Sequence, residues 1–244
     1  MNTQLIILAA GKGTRMNSEK PKVLVDLKGK PLIKHLLDRV SGFFSGIKPV
    51  VVVGYKREEV ITELGEEYIY ATQDEQLGTG HAASCGLEKA TAENVVILYG
   101  DMPFISPTTL QRLSQTHTES ESMFSMLTAT PEVFDGPFQS LYTFGRIIRS
   151  ATGEIQAIRE LVDTNDSEKE MREVNPGIYL FNTAWLKENI SSVTKNSHGE
   201  YYLTDMVAVA VSKNIAIQTV DVDPREVLGV NTLEQLEEAS KLIE

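Results

Sequence analysis

The chain has 244 residues, of which 41% are hydrophobic and 23% charged, with a formal net charge of -11. This composition suits one large globular domain, or one with a small insert, and excludes an intrinsically disordered chain. The acidity excludes a general nucleic-acid binder, because phosphate backbones demand a positive surface.

No apolar run approaches the roughly 20 residues of a membrane span. Residues 5–10 lack the basic flank and the length of a signal-peptide core, so a buried strand is expected there. No membrane partner is expected. The single cysteine, Cys85, offers no intrachain disulfide, and the cytoplasm is the expected compartment.

In chain order, residues 4–10 form a continuous apolar strand, then comes a glycine-rich basic loop, then a helix over 32–40. Further strands are expected at 49–53, 69–71 and 95–99, with helices at 58–64 and 81–90 between them. Continuous rather than alternating apolar strands suit a largely parallel sheet covered on both faces, and the strand–helix order predicts an open α/β architecture. The second half changes character. Strands are expected at 123–130, 144–148, 155–159, 178–181 and 215–220, and helices at 183–190, 202–212 and 232–243. The organisation that follows is a single domain over 1–244. Its nucleotide-binding half spans about 1–120, a sheet extension for a second substrate about 121–230, and a C-terminal helical segment 231–244.

Residues 12–30 contain Lys12, Arg15, Lys20, Lys22, Lys28 and Lys30 against Glu19 and Asp26. A positive cluster in an acidic protein suits a small anionic substrate, although a solvated lysine loop has the same composition. The cluster follows the first strand within Leu8-Ala9-Ala10-Gly11-Lys12-Gly13-Thr14-Arg15-Met16. Small residues there let backbone N–H groups approach a phosphate chain, and ligands of open α/β sheets gather at carboxyl ends of strands. Neither a Walker-type loop nor a complete G-x-G-x-x-G fingerprint is present. Asp101 closes the strand at 95–99 and is placed either to hold Mg²⁺ or to cap a turn. Gln73 and Gln76 are either surface residues or readers of a nucleobase edge, since a Gln amide both donates and accepts. The four histidines (His35, His81, His117, His198) show no metal-binding spacing, and one cysteine excludes a zinc–cysteine cluster within the chain.

The glycine-basic loop with Lys20-Pro21-Lys22 resembles the signature loop of sugar-nucleotide pyrophosphorylases, and more narrowly that of the GlmU-type uridylyltransferase domain. Gln73–Ala82, Leu98-Tyr99-Gly100-Asp101, Gly199-Glu200-Tyr201-Tyr202-Leu203-Thr204-Asp205 and Gly229-Val230-Asn231 resemble further motifs of that family, in the same order. The resemblance implies a Rossmann-like nucleotidyltransferase fold and Mg²⁺-dependent synthesis of UDP-N-acetylglucosamine from UTP and N-acetylglucosamine 1-phosphate. It assigns catalysis to Arg15 and Lys22, and nucleotide binding to Leu8, Ala9, Ala10, Gly11, Gly13, Thr14, Gln73, Gln76, Gly78 and Thr79. It gives Mg²⁺ to Asp101 and Asn231, and the sugar to Tyr99, Gly145, Glu160, Asn175 and Thr204. The acceptor phosphate is already an anionic nucleophile, so alignment and charge stabilisation suffice without a general base. Other acceptors, CTP in place of UTP, and a non-catalytic nucleotide-binding module are the competing expectations.

Three departures from the family pattern bear on those expectations. Pro176 stands where the family has threonine, and Leu161-Val162 stand where basic residues usually follow the glutamate. Both changes fall on the acceptor side. The sequence also lacks the hexapeptide-repeat β-helix of the bifunctional enzymes, so no acetyl transfer is expected from it.

Overall fold

The structure, a computed structural model, describes residues 2–16, 18–43 and 46–243. Its first half alternates strand and helix as the sequence predicts. The elements are β1 (Thr3–Leu8), β2 (Asp26–Leu27), β3 (Lys30–Pro31), α1 (Leu32–Val40), β4 (Val50–Val53), α2 (Arg57–Leu64), β5 (Ile69–Thr72), α3 (Thr79–Leu87) and β6 (Asn94–Tyr99). Helix α4 (Pro107–Glu119) and β7 (Phe124–Ala129) lead into the second half. There follow β8 (Gly145–Arg149), β9 (Ile155–Arg159), α5 (Asp166–Lys169), β10 (Val174–Asn175), β11 (Tyr179–Asn182), α6 (Thr183–Asn189), α7 (Met206–Ser212), β12 (Ile217–Val222) and α8 (Leu233–Leu242).

Apart from the β2–β3 hairpin, the strands of the described residues join in one ten-stranded sheet, ordered β5-β4-β1-β6-β11-β7-β10-β8-β9 with β12 on β7. Following the pairings, β1, β4, β5, β6, β7, β8 and β12 run one way and β9, β10 and β11 the other. The sheet is therefore mixed but mostly parallel, as expected. Both faces of β1 are buried. Leu5 and Ile7 pack with α1, α2 and α4, whereas Ile6 and Leu8 pack with α3, α6 and α7. This two-sided burial is what makes its sequence a continuous apolar run.

Local chemistry explains the helices. Helix α1 places Leu32, Ile33, Leu36, Leu37 and Val40 on one buried face, behind Pro31 at its entry. Helix α4, absent from the sequence expectations, starts at Ser106, whose hydroxyl accepts from Thr109 N at 3.1 Å, with Pro107 at the first helical position. The helix expected over 202–212 begins as a 3₁₀ turn at Leu203–Asp205 and becomes α-helical at Met206.

One topological detail shapes the half expected to take a second substrate. β10 and β11 are segments of one strand path along β7, interrupted at Pro176-Gly177. Below the break the path pairs with β8, and above it with β6. The sheet changes neighbours at that break.

Candidate nucleotidyl-transfer site

The loop after β1 is held by backbone. Ala9 N donates to Val52 O, Gly100 N donates to Leu8 O, and Tyr55 N donates to Ala10 O. These bonds carry the first loop across the carboxyl ends of β4, β1 and β6. A cavity of about 250 Å³ opens there, lined by Leu8, Ala9, Ala10, Gly11, Lys22, Gln73, Gln76, Gly78, Thr79, Tyr99 and Asp101. Glu200 also lines it, although the sequence reading gave this residue no role.

Gly13 is needed for its shape. Its φ is +65°, and a Cβ there would lie 2.5 Å from the Cβ of Lys22. The turn can therefore press against the Lys22 stem only as glycine. The ammonium so directed donates to the Asp101 carboxylate and, at 2.6 Å, to Asn231 Oδ1. Arg15 Nη2 donates to the same Asn231 oxygen at 3.2 Å. Asp101 and Asn231 are joined through backbone as well, since Val230 N donates to Asp101 O at 3.0 Å.

The other predicted cations disperse. Lys12 lies over the Tyr55 ring, Lys28 donates to Ile243 O and Lys30 pairs with Asp38. Of the residues 12–30 cluster, Lys22 and Arg15 reach Asn231. Two oxygens, from Asp101 and Asn231, face the point that the Lys22 ammonium fills. A hard cation that keeps water and phosphate oxygens for its remaining positions fits a seat of that kind. Among the described residues there is no group of three or more His, Cys, Asp or Glu suited to a metal ion.

The two glutamines differ. Gln73 is buried, and its amide donates to Gly78 O at 3.0 Å. Gln76 is exposed and held by one long contact to Gln73 O at 3.4 Å. Gly78 has φ +99°, and a Cβ there would lie 2.5 Å from Tyr201 O, so it too must be glycine. The chain at 200–201 closes against this loop. Gly80 N donates to Tyr201 O and Tyr201 N to Leu77 O, each at 2.8 Å. Thr79 Oγ1 accepts from Leu203 N at 3.0 Å and meets the Tyr99 hydroxyl, whose pKa burial raises strongly.

Three of the five residues expected on the acceptor side, Gly145, Glu160 and Asn175, fall in one row of the sheet, whereas Tyr99 ends β6 and Thr204 lies on the 3₁₀ turn Leu203–Asp205. Arg146 pairs with Arg159, so Glu160, one residue beyond β9, lies opposite Gly145, which in turn pairs with Asn175. A Cβ on Gly145 would sit 2.6 Å from Ile158 Cγ2 and 3.5 Å from Glu160 Oε1, which leaves the row its open centre. Burial, then the nearby Asp205 and Asp163 charges, raise the Glu160 pKa, partly offset by a hydrogen bond from Thr204. Asn175 is engaged from both ends. Its amide donates to the Tyr179 hydroxyl at 2.7 Å and its oxygen accepts from Gly177 N at 3.0 Å. Gly177 (φ +79°) lies against the Tyr99 ring, and this contact joins the Glu160–Gly145–Asn175 row to the cavity that Tyr99 lines. Asp205, beside Glu160, was not singled out from sequence. Leu161–Asp163 form a 3₁₀ turn at the rim, on which Val162 is 89% exposed.

The profile of the MobA-like NTP transferase domain matches residues 5–168, a span that contains the loop, Gln73 and Gln76, Asp101 and the Gly145–Glu160 pair. The chain belongs to the MobA-like NTP transferase family.

Within that family, the resemblance to sugar-nucleotide pyrophosphorylases of the GlmU type is borne out. The chain is 40% identical to the bifunctional protein GlmU of Heliobacterium modesticaldum over 98% of its own length and 51% of the relative's. It is also 40% identical to that of Carboxydothermus hydrogenoformans, over 97% and 52%. The chain thus spans about half the length of the curated relatives it matches. Among solved structures, a CMP:2-keto-3-deoxy-manno-octonic acid synthetase complexed with CTP superimposes with a TM-score of 0.70 at 19% identity, over 99% of this chain and 98% of that one. A Bacillus anthracis chain described as a glucose-1-phosphate thymidylyltransferase gives 0.73 at 19%, over 98% and 94%. These likenesses show the Rossmann-like nucleotidyltransferase fold. No helix of the described residues is long and apolar enough to cross a membrane.

Proposed function

We propose that this nucleotidyltransferase joins UTP to N-acetylglucosamine 1-phosphate, releasing pyrophosphate and forming UDP-N-acetylglucosamine with Mg²⁺ as its cofactor. The observation that carries this reading is the meeting of Lys22, Arg15, Asp101 and Asn231 beside a glycine-walled cavity, next to the Glu160–Gly145–Asn175 row. An acceptor held along the row directs its phosphate toward the cavity. An oxygen of that phosphate forms the new bond to the α-phosphorus, while the bond to the bridging oxygen breaks and its electron pair leaves with pyrophosphate. The nucleophile is already an anion, so no side chain need remove a proton. Lys22 and Arg15 offset charge gathering on the α- and β-phosphates, and the loop at 9–13 holds the chain in line. When bound, Mg²⁺ held by Asp101 and Asn231 supplies Lewis-acid polarisation of phosphate oxygens.

A second reading keeps the chemistry and changes the substrate pair. It is favoured by the apolar, exposed Val162 at the acceptor rim and by the inward-turned amide of Gln73, which leaves base selection to Gln76 and backbone. The deciding experiment measures pyrophosphate release for four nucleoside triphosphates against a panel of sugar 1-phosphates, with and without Mg²⁺. Turnover confined to UTP with N-acetylglucosamine 1-phosphate supports the first reading, and turnover with CTP or a non-acetylated acceptor replaces it with the second. Nucleotide binding without turnover for every pair marks a non-catalytic binding module.

A further inference from the structure

Arg146 is fully buried, yet among the described residues no carboxylate pairs with it. Its Nη1 donates to Tyr142 O at 3.0 Å and Phe144 O at 2.5 Å, and its Nη2 approaches Lys169 O at 3.4 Å. The guanidinium centre lies 5.0 Å from the Phe134 ring and 5.0 Å from the Tyr142 ring, and Nε has no hydrogen-bond partner. Burial lowers the Arg146 pKa, and only backbone dipoles and ring faces compensate the charge. A methionine would fill similar volume without that cost. The planar fork of arginine does something methionine cannot, because it fixes several carbonyls in one plane.

The carbonyls it holds identify what is being fixed. Phe144 directly precedes Gly145 and Tyr142 lies three residues before it, and Lys169 ends α5, from which the chain runs to β10 and Asn175. Arg146 itself pairs with Val174 on one side and Arg159 on the other. It therefore occupies the row next to Glu160–Gly145–Asn175, and its side chain leaves the sheet on the opposite face from that of Glu160.

We propose that Arg146 is a positioning residue for the acceptor: its buried guanidinium clamps the chain entering β8 to the chain approaching β10, and so sets the spacing of the Glu160–Gly145–Asn175 row. This rests on the acceptor assignment of the proposed function. Two readouts test it separately. In steady-state kinetics, Arg146→Met is expected to raise the acceptor KM about tenfold while leaving the nucleoside triphosphate KM within about twofold. Arg146→Lys keeps the cation without the fork and should fall between the two. A parallel rise in both KM values, or no rise, overturns the proposal. In hydrogen exchange, Arg146→Met should lose protection at the Ile147 and Gly177 amides, which donate to Glu173 O and Asn175 Oδ1. The Ala9 and Gly100 amides of the nucleotide side should be unchanged. If wild-type protein turns over no substrate pair, the functional reading fails alone, and the exchange pattern still decides the clamp. Unchanged protection at Ile147 and Gly177 sinks it. Should Arg146→Met not fold, Tyr142→Leu removes one stacking face at a partly exposed position and must show the same differential pattern in exchange and KM; equal effects on both sides overturn the clamp.

Discussion

Lys22 and Asn231 stand 209 positions apart in the chain, and the ammonium of one donates to the amide oxygen of the other at 2.6 Å. Asp101 takes the second donation from the same ammonium. The seat that two oxygens offer to a cation is thus built from the first loop, the end of a central strand and the segment before the last helix. Asp101→Ala removes the charged half of the seat. Divalent-dependent turnover is expected to fall by about a hundredfold or more, the scale for losing one electrostatic partner of a developing charge. The melting temperature should move by only a few degrees, the scale of about 1 kcal/mol in a chain of this size. An Asp101→Ala protein that kept its Mg²⁺ response would remove Asp101 from the metal site.

Gly13→Ala tests the loop's shape. The positive φ costs an L-residue about 1–2 kcal/mol, and the new methyl would meet the Lys22 stem at 2.5 Å. Chemical denaturation should register only the strain. Activity should fall further than stability, because Lys22 is pushed off Asp101 and Asn231. Equal losses in both would make Gly13 a structural residue only.

The two glutamines should separate in kinetics. Gln73→Ala removes a buried amide that donates to Gly78 O, so it is expected to weaken every nucleoside triphosphate alike. Gln76→Ala leaves the loop intact and is expected to change the ratio of kcat/KM between UTP and CTP by about tenfold, one hydrogen bond's worth of discrimination. An unchanged ratio would show that base choice lies elsewhere.

Acceptor binding should carry an acid limb. Burial and the Asp205 and Asp163 charges raise the Glu160 pKa, so the carboxylate proposed to accept from a sugar hydroxyl is protonated at a higher pH than an ordinary glutamate. The logarithm of 1/KM for the acceptor is expected to fall with decreasing pH in a range above the usual glutamate value, and Glu160→Gln should flatten that limb. A limb that survives in Glu160→Gln would belong to another group.

His117 gives the fold its own pH dependence. It is buried on α4 with Nδ1 2.8 Å from Ser125 Oγ, and burial lowers its pKa to about 4 from 6.5. Above pH 6.5 both folded and unfolded forms hold it neutral, and its contribution is complete. As pH falls from 6.5 toward 4 the unfolded chain gains a proton that the folded one does not, and stability drops by up to about 3 kcal/mol. Urea unfolding of wild type and His117→Gln across that range measures the difference. Identical pH profiles would refute the assignment.

The elements legible in the sequence are those whose burial speaks in hydrophobic residues. Strands β1, β4 and β6 are buried on both faces and are spelled in Val, Ile and Leu. Helix α4 was missed because its inward face mixes Leu110 and Leu113 with Thr109, Ser114 and His117. Thr109 is satisfied by Glu226 at 2.9 Å and His117 by Ser125, so polar residues can face inward without an apolar stripe. Ser106-Pro107 was the signal that could have marked its start. At the site, motifs named the loop, Asp101 and Asn231, but not their convergence through Lys22. Nor could spacing show that Lys12, Lys28 and Lys30, three of the six nearby cations, find other partners. Asp205 and Glu200 lay inside a quoted motif, and only packing shows them beside Glu160 and in the cavity wall. Arg146 carries no sequence signal of burial, because arginine is ordinarily read as surface.

The break at Pro176-Gly177 has a consequence for how such a protein can change. Proline has no N–H to contribute, and it sits in the one stretch of that path where neither β8 nor β6 pairs with it. At 176 no ladder hydrogen bond depends on the side chain, whereas Gly177, with φ +79° and the Tyr99 ring against it, admits none. Position 176 is therefore a tolerant splice between the half proposed to hold the nucleotide and the half proposed to hold the acceptor. If the proposed acceptor row is right, substitutions at 176 and at the 161–162 turn would retune which phosphate is accepted while Asp101, at the end of the neighbouring strand β6, keeps its backbone bond to Val230.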